Sequence, residues 1–267
     1  MKLLRWESIT ATSALIICML AGCGANKSAE SLCTDPLHDS LATLSAQSTA
    51  SSLENLEEAP LDNSANSRTS QTVDAKTLAY CTTEAIGKLD GYREKQLLNG
   101  DEISSSRINI NPLRVHITRT HPEAGDIEEA IMVESFTFAK IDGQWIEATE
   151  DNPKPAVKAL LNLPKSFQTQ FNPKLRAAGT SDSVVYSVEG TDTVLNQPVL
   201  ILSAVITNNL ETFTSKYFIN SDYLVLRSQI IRTDGKITTS EMTAIGDRED
   251  ITNPILAKHD ATNNDAK

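Results

Sequence analysis

The 267-residue sequence lacks any run of the ~20 apolar residues that a membrane-spanning helix needs. Basic charge is also scarce, with 24 Lys and Arg against 35 Asp and Glu and a net charge of −11. That balance excludes a nucleic-acid binder, because phosphate contacts require clustered Lys and Arg. It also argues against lying flat on an anionic lipid surface by charge alone. No His-Glu-x-x-His, Gly-x-Ser-x-Gly, phosphate loop or Cys-x-x-Cys occurs, so zinc-protease, serine-hydrolase, nucleotide and dithiol chemistry have no signature here. His116 and His121 read as solvated histidines: His116 falls on the polar side of a strand and His121 precedes Pro122. The run Asp247-Arg248-Glu249-Asp250 lacks the Gly and Glu spacing of a calcium loop and reads as a solvated turn. No catalytic residue, metal ligand or dissociable cofactor is assigned, and a non-enzymatic protein is expected.

What is present begins at the N-terminus. Lys2 and Arg5 precede the mostly apolar Ile9–Leu20, which has the length of a signal-peptide core. It ends in Leu20-Ala21-Gly22-Cys23, which resembles the lipobox of bacterial lipoproteins. The resemblance implies cleavage after residues 1–22 and a diacylglyceryl and acyl lipid, such as palmitate, on the Cys23 sulfur. An ordinary secretory signal followed by a chance cysteine is the alternative. Each buried CH₂ contributes about 0.8 kcal/mol, so two or three acyl chains hold a protein on a bilayer. Gly24, not Asp, follows Cys23, which leans the expected address in the cell envelope to the periplasmic face of the outer membrane. Loss of Lys2, Arg5 and Glu7 with the leader makes the net charge more negative by one.

Four cysteines occur. Cys18 leaves with the leader and Cys23 is used for lipid, so Cys33 and Cys81 remain as an even pair in an oxidising compartment. A Cys33–Cys81 disulfide would close a loop of roughly 49 residues, worth about 4 kcal/mol in the chain-entropy model. Two free thiols, one buried and one exposed, are the alternative.

Residues 23–73 are rich in Ser, Ala, Thr, Asn and Glu without an aromatic, and read as a disordered tether. Residues 74–256 read as one domain, and residues 257–267 as a polar tail. Asp74 is a good N-cap, and Leu78, Cys81, Ala85, Ile86 and Leu89 recur at helical spacing. Strands follow, turned at Asn99-Gly100 and Asp142-Gly143, with Ala130–Ile141 taken as one strand. Pro155 opens a helix through Leu163 that Pro164 stops, and Phe167, Phe171 and Leu175 then recur every four residues, although Pro173 interrupts any single helix there. Strands resume at Val184. Val199–Ile206 is nearly all apolar and is expected to be covered on both faces. Turns at Asn220–Asp222 and Asp234-Gly235 complete a second meander. The order is α+β, dominated by one large antiparallel sheet with an N-terminal helix and central covering helices.

Reading the Asp142-Gly143 hairpin face by face places Ile131, Val133, Ala139, Ile141, Ile146 and Ala148 on one side. Met132, Phe136, Phe138 and Trp145 share the other with Glu134, Lys140 and Glu147. So many large apolar groups require a cover: helix packing by Pro155–Leu175, a partner or a ligand.

The element order, with "KYFINSDYLVLRSQIIRTDGKI" (Lys216–Ile237) and the closing "AIGDREDITNP" (Ala244–Pro254), resembles the LolA-like superfamily. This superfamily includes the carrier LolA and mycobacterial lipoproteins of the LppX and LprG type. The resemblance implies an unclosed β-barrel with helices over its opening and an apolar cavity for acyl chains. Asn220 departs from the Asp frequent at that turn. On this reading Phe136, Phe138, Trp145, Leu160, Leu161, Phe167 and Phe171 are the candidate cavity lining. The expected function is a lipid-anchored module that binds a lipid or other hydrophobic ligand. The alternative is an envelope lipoprotein with a filled core that binds a protein partner through an apolar patch or a free strand edge.

Overall fold

A computed structural model describes Cys33, residues 71–208 and residues 210–256. The leader over 1–22, Cys23, most of the expected tether and the tail over 257–267 lie outside the described residues.

One sheet organises the domain. Its strands are β1 (Thr72–Asp74), β2 (Gly91–Leu98), β3 (Asp101–Ile110), β4 (Leu113–Arg119), β5 (Glu129–Val133), β6 (Phe136–Ile141), β7 (Gln144–Glu147), β8 (Val185–Val194), β9 (Gln197–Thr207), β10 (Thr212–Ile219), β11 (Val225–Arg232) and β12 (Ile237–Thr243). The order is β1-β8-β9-β10-β11-β12-β2-β3-β4-β5-β6-β7. Every pairing is antiparallel, and β7 does not pair with β1, so the barrel is unclosed. The second meander therefore folds back so that its last strand, β12, pairs with β2, the first strand of the opening meander. Thr72 and Val73, assigned to the tether by composition, form β1, and Val73 is buried in the core.

Helix α1 (Ala75–Gly87) starts where the sequence places it. The Asp74 carboxylate accepts from the Thr77 amide at 2.8 Å, satisfying a donor that the first turn leaves open. The central segment holds α2 (Pro155–Ala159), a 3₁₀ turn (Leu160–Asn162), α3 (Leu163–Gln170) and α4 (Pro173–Ala178). Pro164 does not stop a helix. It sits in the first turn of α3, where its missing N–H has no intrahelical acceptor to serve. Pro173 likewise opens α4, with Asn172 capping the Lys174 and Leu175 amides.

The helices cover one face of the sheet, here the inner face. Ala75 and Leu78 of α1 join Leu200, Leu202, Ala204, Ile206, Phe213 and Ile219. Leu163, Phe167 and Phe171 of the α3 region pack on Tyr92, Ile108, Val115, Ile117 and Met132. Val157 and Leu160 pack on Ala130, Ala139 and Ile141. Between these apolar regions the inner face is polar: Ser240 donates to Glu94 at 2.7 Å and Ser104 to Gln96 at 3.3 Å.

Strand β9 is covered on both faces only at its start. Val199 and Leu200 are both buried, but Val205 is 71% exposed on the outer face while Ala204 and Ile206 stay inside. Among the described residues no helix covers the outer face there, so the apolar run is longer than its two-sided burial.

The outer face of the first meander is closed by the chain's own C-terminal segment. Asn109, buried in β3, donates to the Glu249 carbonyl at 2.8 Å and accepts from the Glu249 amide at 2.9 Å. Arg93 pairs with the Glu249 carboxylate, and Arg114 donates to the Ile251 carbonyl at 3.0 Å. Gly91 makes this approach possible, since a Cβ there would lie 2.5 Å from the Asp247 carbonyl oxygen. The run over Asp247–Asp250 is therefore a latch with Glu249 half-buried, not a freely solvated turn.

Cys33 is joined to Cys81 of α1, with a Cα–Cα distance of 5.5 Å and a sequence separation of 48. Closing a loop of that length stabilises the fold by about 4 kcal/mol. Each kcal/mol shifts the melting midpoint of a domain this size by about 2–4 °C. Reduction under non-denaturing conditions is expected to lower the midpoint by roughly 8–16 °C, measured by circular dichroism with and without reductant. An unchanged midpoint would show that the bond does not constrain the unfolded chain.

Candidate functional site

The register of β5 and β6 decides where the sequence-derived candidates go. Glu134, at φ 59°, and Ser135 form a two-residue turn that splits Ala130–Ile141 into two strands. The turn pairs Val133 with Phe136, Met132 with Thr137, Ile131 with Phe138 and Ala130 with Ala139. A two-residue turn places odd positions opposite even ones, so the side-chain parity inverts across it. Ile131 and Val133 consequently share a face with Phe136 and Phe138, and Met132 shares one with Ala139. This corrects the face assignment made by treating Ala130–Ile141 as a single strand.

Phe136, Phe138 and Trp145 thus lie on the outer face, away from the helices. Ile131, Val133 and Ile251 form a small cluster there, with Trp145 packed against it. Phe138 is 1% exposed and Phe136 49% exposed. Leu160, Leu161, Phe167 and Phe171 are on the helical side. Leu160 is buried and Leu161 partly buried in the cluster under α2. The Phe167 and Phe171 rings stack at 5.9 Å over the β2–β5 cluster. The seven candidates therefore do not line one cavity.

What the structure opens instead is a groove of about 730 Å³ lined by Tyr80, Leu113, Gln168, Phe171, Asn172, Pro173, Lys174 and Leu175. Tyr80 comes from α1, Leu113 from the start of β4, and the rest from the end of α3 through α4. The groove is where helices α1, α3 and α4 meet the β3–β4 turn. Leu113 and Phe171 form its apolar floor against the β2–β5 cluster, and Leu175, 51% exposed, stands at its rim. Of the seven candidates only Phe171 borders it. Tyr80, Leu113 and Leu175 are 95 residues apart at the extremes of the chain involved, from 80 to 175. The repeat Phe167, Phe171, Leu175 was the one local signal for this place.

The chemistry nearby is sparse. Among the described residues no group of three or more His, Cys, Asp and Glu is placed to hold a metal. The densest polar cluster is on the outer face. Arg107 contacts His116 Nδ1 at 2.7 Å, His116 Nε2 contacts Glu129 at 2.6 Å, and Lys140 donates to Glu129 at 2.8 Å. These residues occupy adjacent cross-strand positions on β3, β4, β5 and β6, so the register alone brings them together. His116 is thus a half-buried network residue, not a solvated one. His121 is exposed. Burial pushes the His116 imidazole below its usual value, with the hydrogen bond to Glu129 opposing and the Arg107 charge assisting. Burial acts to raise the Glu129 carboxyl, but hydrogen bonds from Lys140 and His116 outweigh it and hold the group below the usual range. Glu129 in turn raises Lys140 through its hydrogen bond. A strand-bridging ion network far from the groove is structural chemistry.

The signs of these shifts fix a pH response. A histidine whose folded pKa is depressed is protonated first in the unfolded chain, so stability falls as pH drops below 6.5 towards the lower folded value. Glu129 adds a second loss as pH falls from about 4.5 through its depressed folded pKa. Urea unfolding from about pH 7.5 to about pH 3 is expected to show both losses, and His116→Gln to remove the upper one. An identical upper slope in the variant would contradict the assignment.

No family model matches the sequence, and no curated protein matches it. Solved structures do resemble this one. Lipoprotein LppX of Mycobacterium tuberculosis is 11% identical, with a TM-score of 0.46 over 66% of this chain and 97% of that one. LprF of Mycobacterium bovis is 12% identical, with a TM-score of 0.43 over 67% and 96%. The MucA/MucB complex of Pseudomonas aeruginosa contains a chain 14% identical, with a TM-score of 0.40 over 66% of this chain and 59% of that one. Each of these likenesses is distant, at 14% identity or less.

Proposed function

We propose that this chain is a cell-envelope binding protein, anchored by lipid on Cys23, that holds a lipid or other hydrophobic ligand in the groove between α1, α3, α4 and the β3–β4 turn, without chemistry of its own. The groove carries the reading. Its volume of about 730 Å³ lies within the ~300–1,000 Å³ of ordinary ligand sites. Its lining is mainly apolar, and its polar members (Gln168, Asn172, Lys174) are few and sit along one side, on the α3–α4 segment. Such a site selects by shape and burial. Cleavage after residues 1–22, lipidation at Cys23 and residence at the outer membrane are part of the proposal. Among the described residues no helix is long and apolar enough to cross a membrane.

A second reading is favoured by the sheet itself. Strand β1 pairs with Val185–Ser187 of β8 and the Val188 amide donates to the Gln71 carbonyl, but among the described residues no strand pairs with that edge of β8 beyond Val188, and Val185 and Val205 are exposed on the outer face. That is the equipment of a strand-adding or patch-binding protein partner.

Native mass spectrometry of the exported Cys23→Ser chain separates the two. The expected result is discrete added masses that extract as lipid, with retention at least tenfold lower in Leu175→Asp, because a carboxylate at the rim must be desolvated against the ligand. A clean apo mass, unchanged after incubation with envelope lipids, would contradict the ligand reading and support the protein partner.

A further inference from the structure

The helical segment carries a charge pattern opposite to that of the chain. From Asn152 through Ser181 there are five basic residues (Lys154, Lys158, Lys165, Lys174 and Arg176) and no Asp or Glu, in a sequence of net charge −11. Three of the five, Lys154, Lys165 and Lys174, are exposed and form no ion pair among the described residues. Of the acidic groups that border the segment, Glu150 pairs with Lys158, Asp182 with Lys76 and Glu84 with Lys88, while Asp151 stands exposed at its start.

Two of these charges, Lys165 and Lys174, lie beside apolar surface. Lys165 and Gln168 are three residues apart on α3 and share a side of it, and Gln168 lines the groove. Lys174 and Leu175 follow on α4, with Leu175 half-exposed and Tyr80 and Phe171 partly exposed between them. Basic side chains beside exposed Leu175 and partly exposed Tyr80 and Phe171 match an interfacial membrane-binding surface. The disulfide adds a positional argument. Cys81 is the residue after Tyr80, so the chain entering from Cys23 is tied to α1 at the groove rim. Even fully extended, the ten steps from Cys23 to Cys33 span about 35 Å.

We infer that the α3–α4 face, with Lys165, Lys174 and Leu175 around the groove, is a docking surface for an anionic lipid bilayer. The inference concerns the rim and stands apart from whether the groove holds a ligand. The net charge of the chain does not oppose it at physiological salt. Screening over about 8 Å removes distant carboxylates from the account and leaves the local lysines facing the headgroups. A lysine near an anionic surface contributes about 1 kcal/mol, so two contribute about a thirtyfold change in partition.

The test is sedimentation of the full chain carrying Cys23→Ser with vesicles of equal phosphatidylglycerol and phosphatidylcholine, and with phosphatidylcholine alone. The expected result is binding to the anionic vesicles that weakens as salt rises, and about thirtyfold weaker binding for Lys165→Gln/Lys174→Gln. Lys236→Gln, on the β11–β12 hairpin, is expected to bind as the parent does. Equal binding to both vesicle types, no binding to the anionic ones at 50 mM salt, or an unchanged double-glutamine variant would each overturn the inference. Because the lysines are exposed, circular dichroism serves as the folding control, and the salt series on the parent chain needs no variant. Lipid retention with no vesicle docking would leave the groove reading standing and remove this one; docking without retained lipid would do the reverse.

Discussion

A single antiparallel sheet of twelve strands presents two large faces, and the described residues supply four short helices with which to cover them. Burying apolar surface contributes roughly 25 cal/mol per Å², so both faces demand a cover wherever they are apolar. The chain meets that demand unevenly. Helices take the inner face at either end, a polar band of Glu94, Gln96, Ser104 and Ser240 occupies the middle, and the C-terminal latch around Ile251 closes part of the outer face. The groove arises where this coverage runs short: α4 and the end of α3 reach the β3–β4 turn but do not fill the space against α1. The candidate site thus lies where the helices among the described residues leave the sheet incompletely covered.

Two segments remote in sequence also hold the domain together. Asn109 and Gly91 accept the strap over 247–251, and the Cys33–Cys81 bond ties the upstream chain to α1. Removing the Asn109 side chain would leave the amide and carbonyl of Glu249 without their partners, a loss of about 1–3 kcal/mol per buried group. The ion network of Arg107, His116, Glu129 and Lys140 belongs to this outer scaffold and not to the groove.

Much of the architecture was legible because its turns announce themselves. Asn99-Gly100, Asp142-Gly143 and Asp234-Gly235 supply the positive φ that tight hairpins need, and all three lie between paired strands. The α+β class, the helix after Asp74 and the helices over the sheet follow from the same period-2 and period-3.6 patterns. Glu134-Ser135 and Leu195-Asn196 carry no glycine, yet Glu134, Leu195 and Asn196 all adopt positive φ. Missing the first of these inverted the parity of β5 relative to β6 and put Phe136, Phe138 and Trp145 on the wrong face. The groove was less legible still, because Tyr80, Leu113 and Leu175 meet only through the packing of α1, α4 and a strand start. No local pattern marks such a meeting, although the spacing of Phe167, Phe171 and Leu175 pointed at its floor.

The central claim is positional: a hydrophobic ligand belongs on the helix side, at the groove, and not on the aromatic outer face. Photolabelling with a diazirine fatty acid, followed by peptide mapping, reads that position directly. The account predicts saturable adducts on the peptides containing Tyr80, Leu113 and Phe171–Leu175. Adducts concentrated on Phe136, Phe138 and Trp145, or labelling that unlabelled fatty acid does not compete, would contradict it.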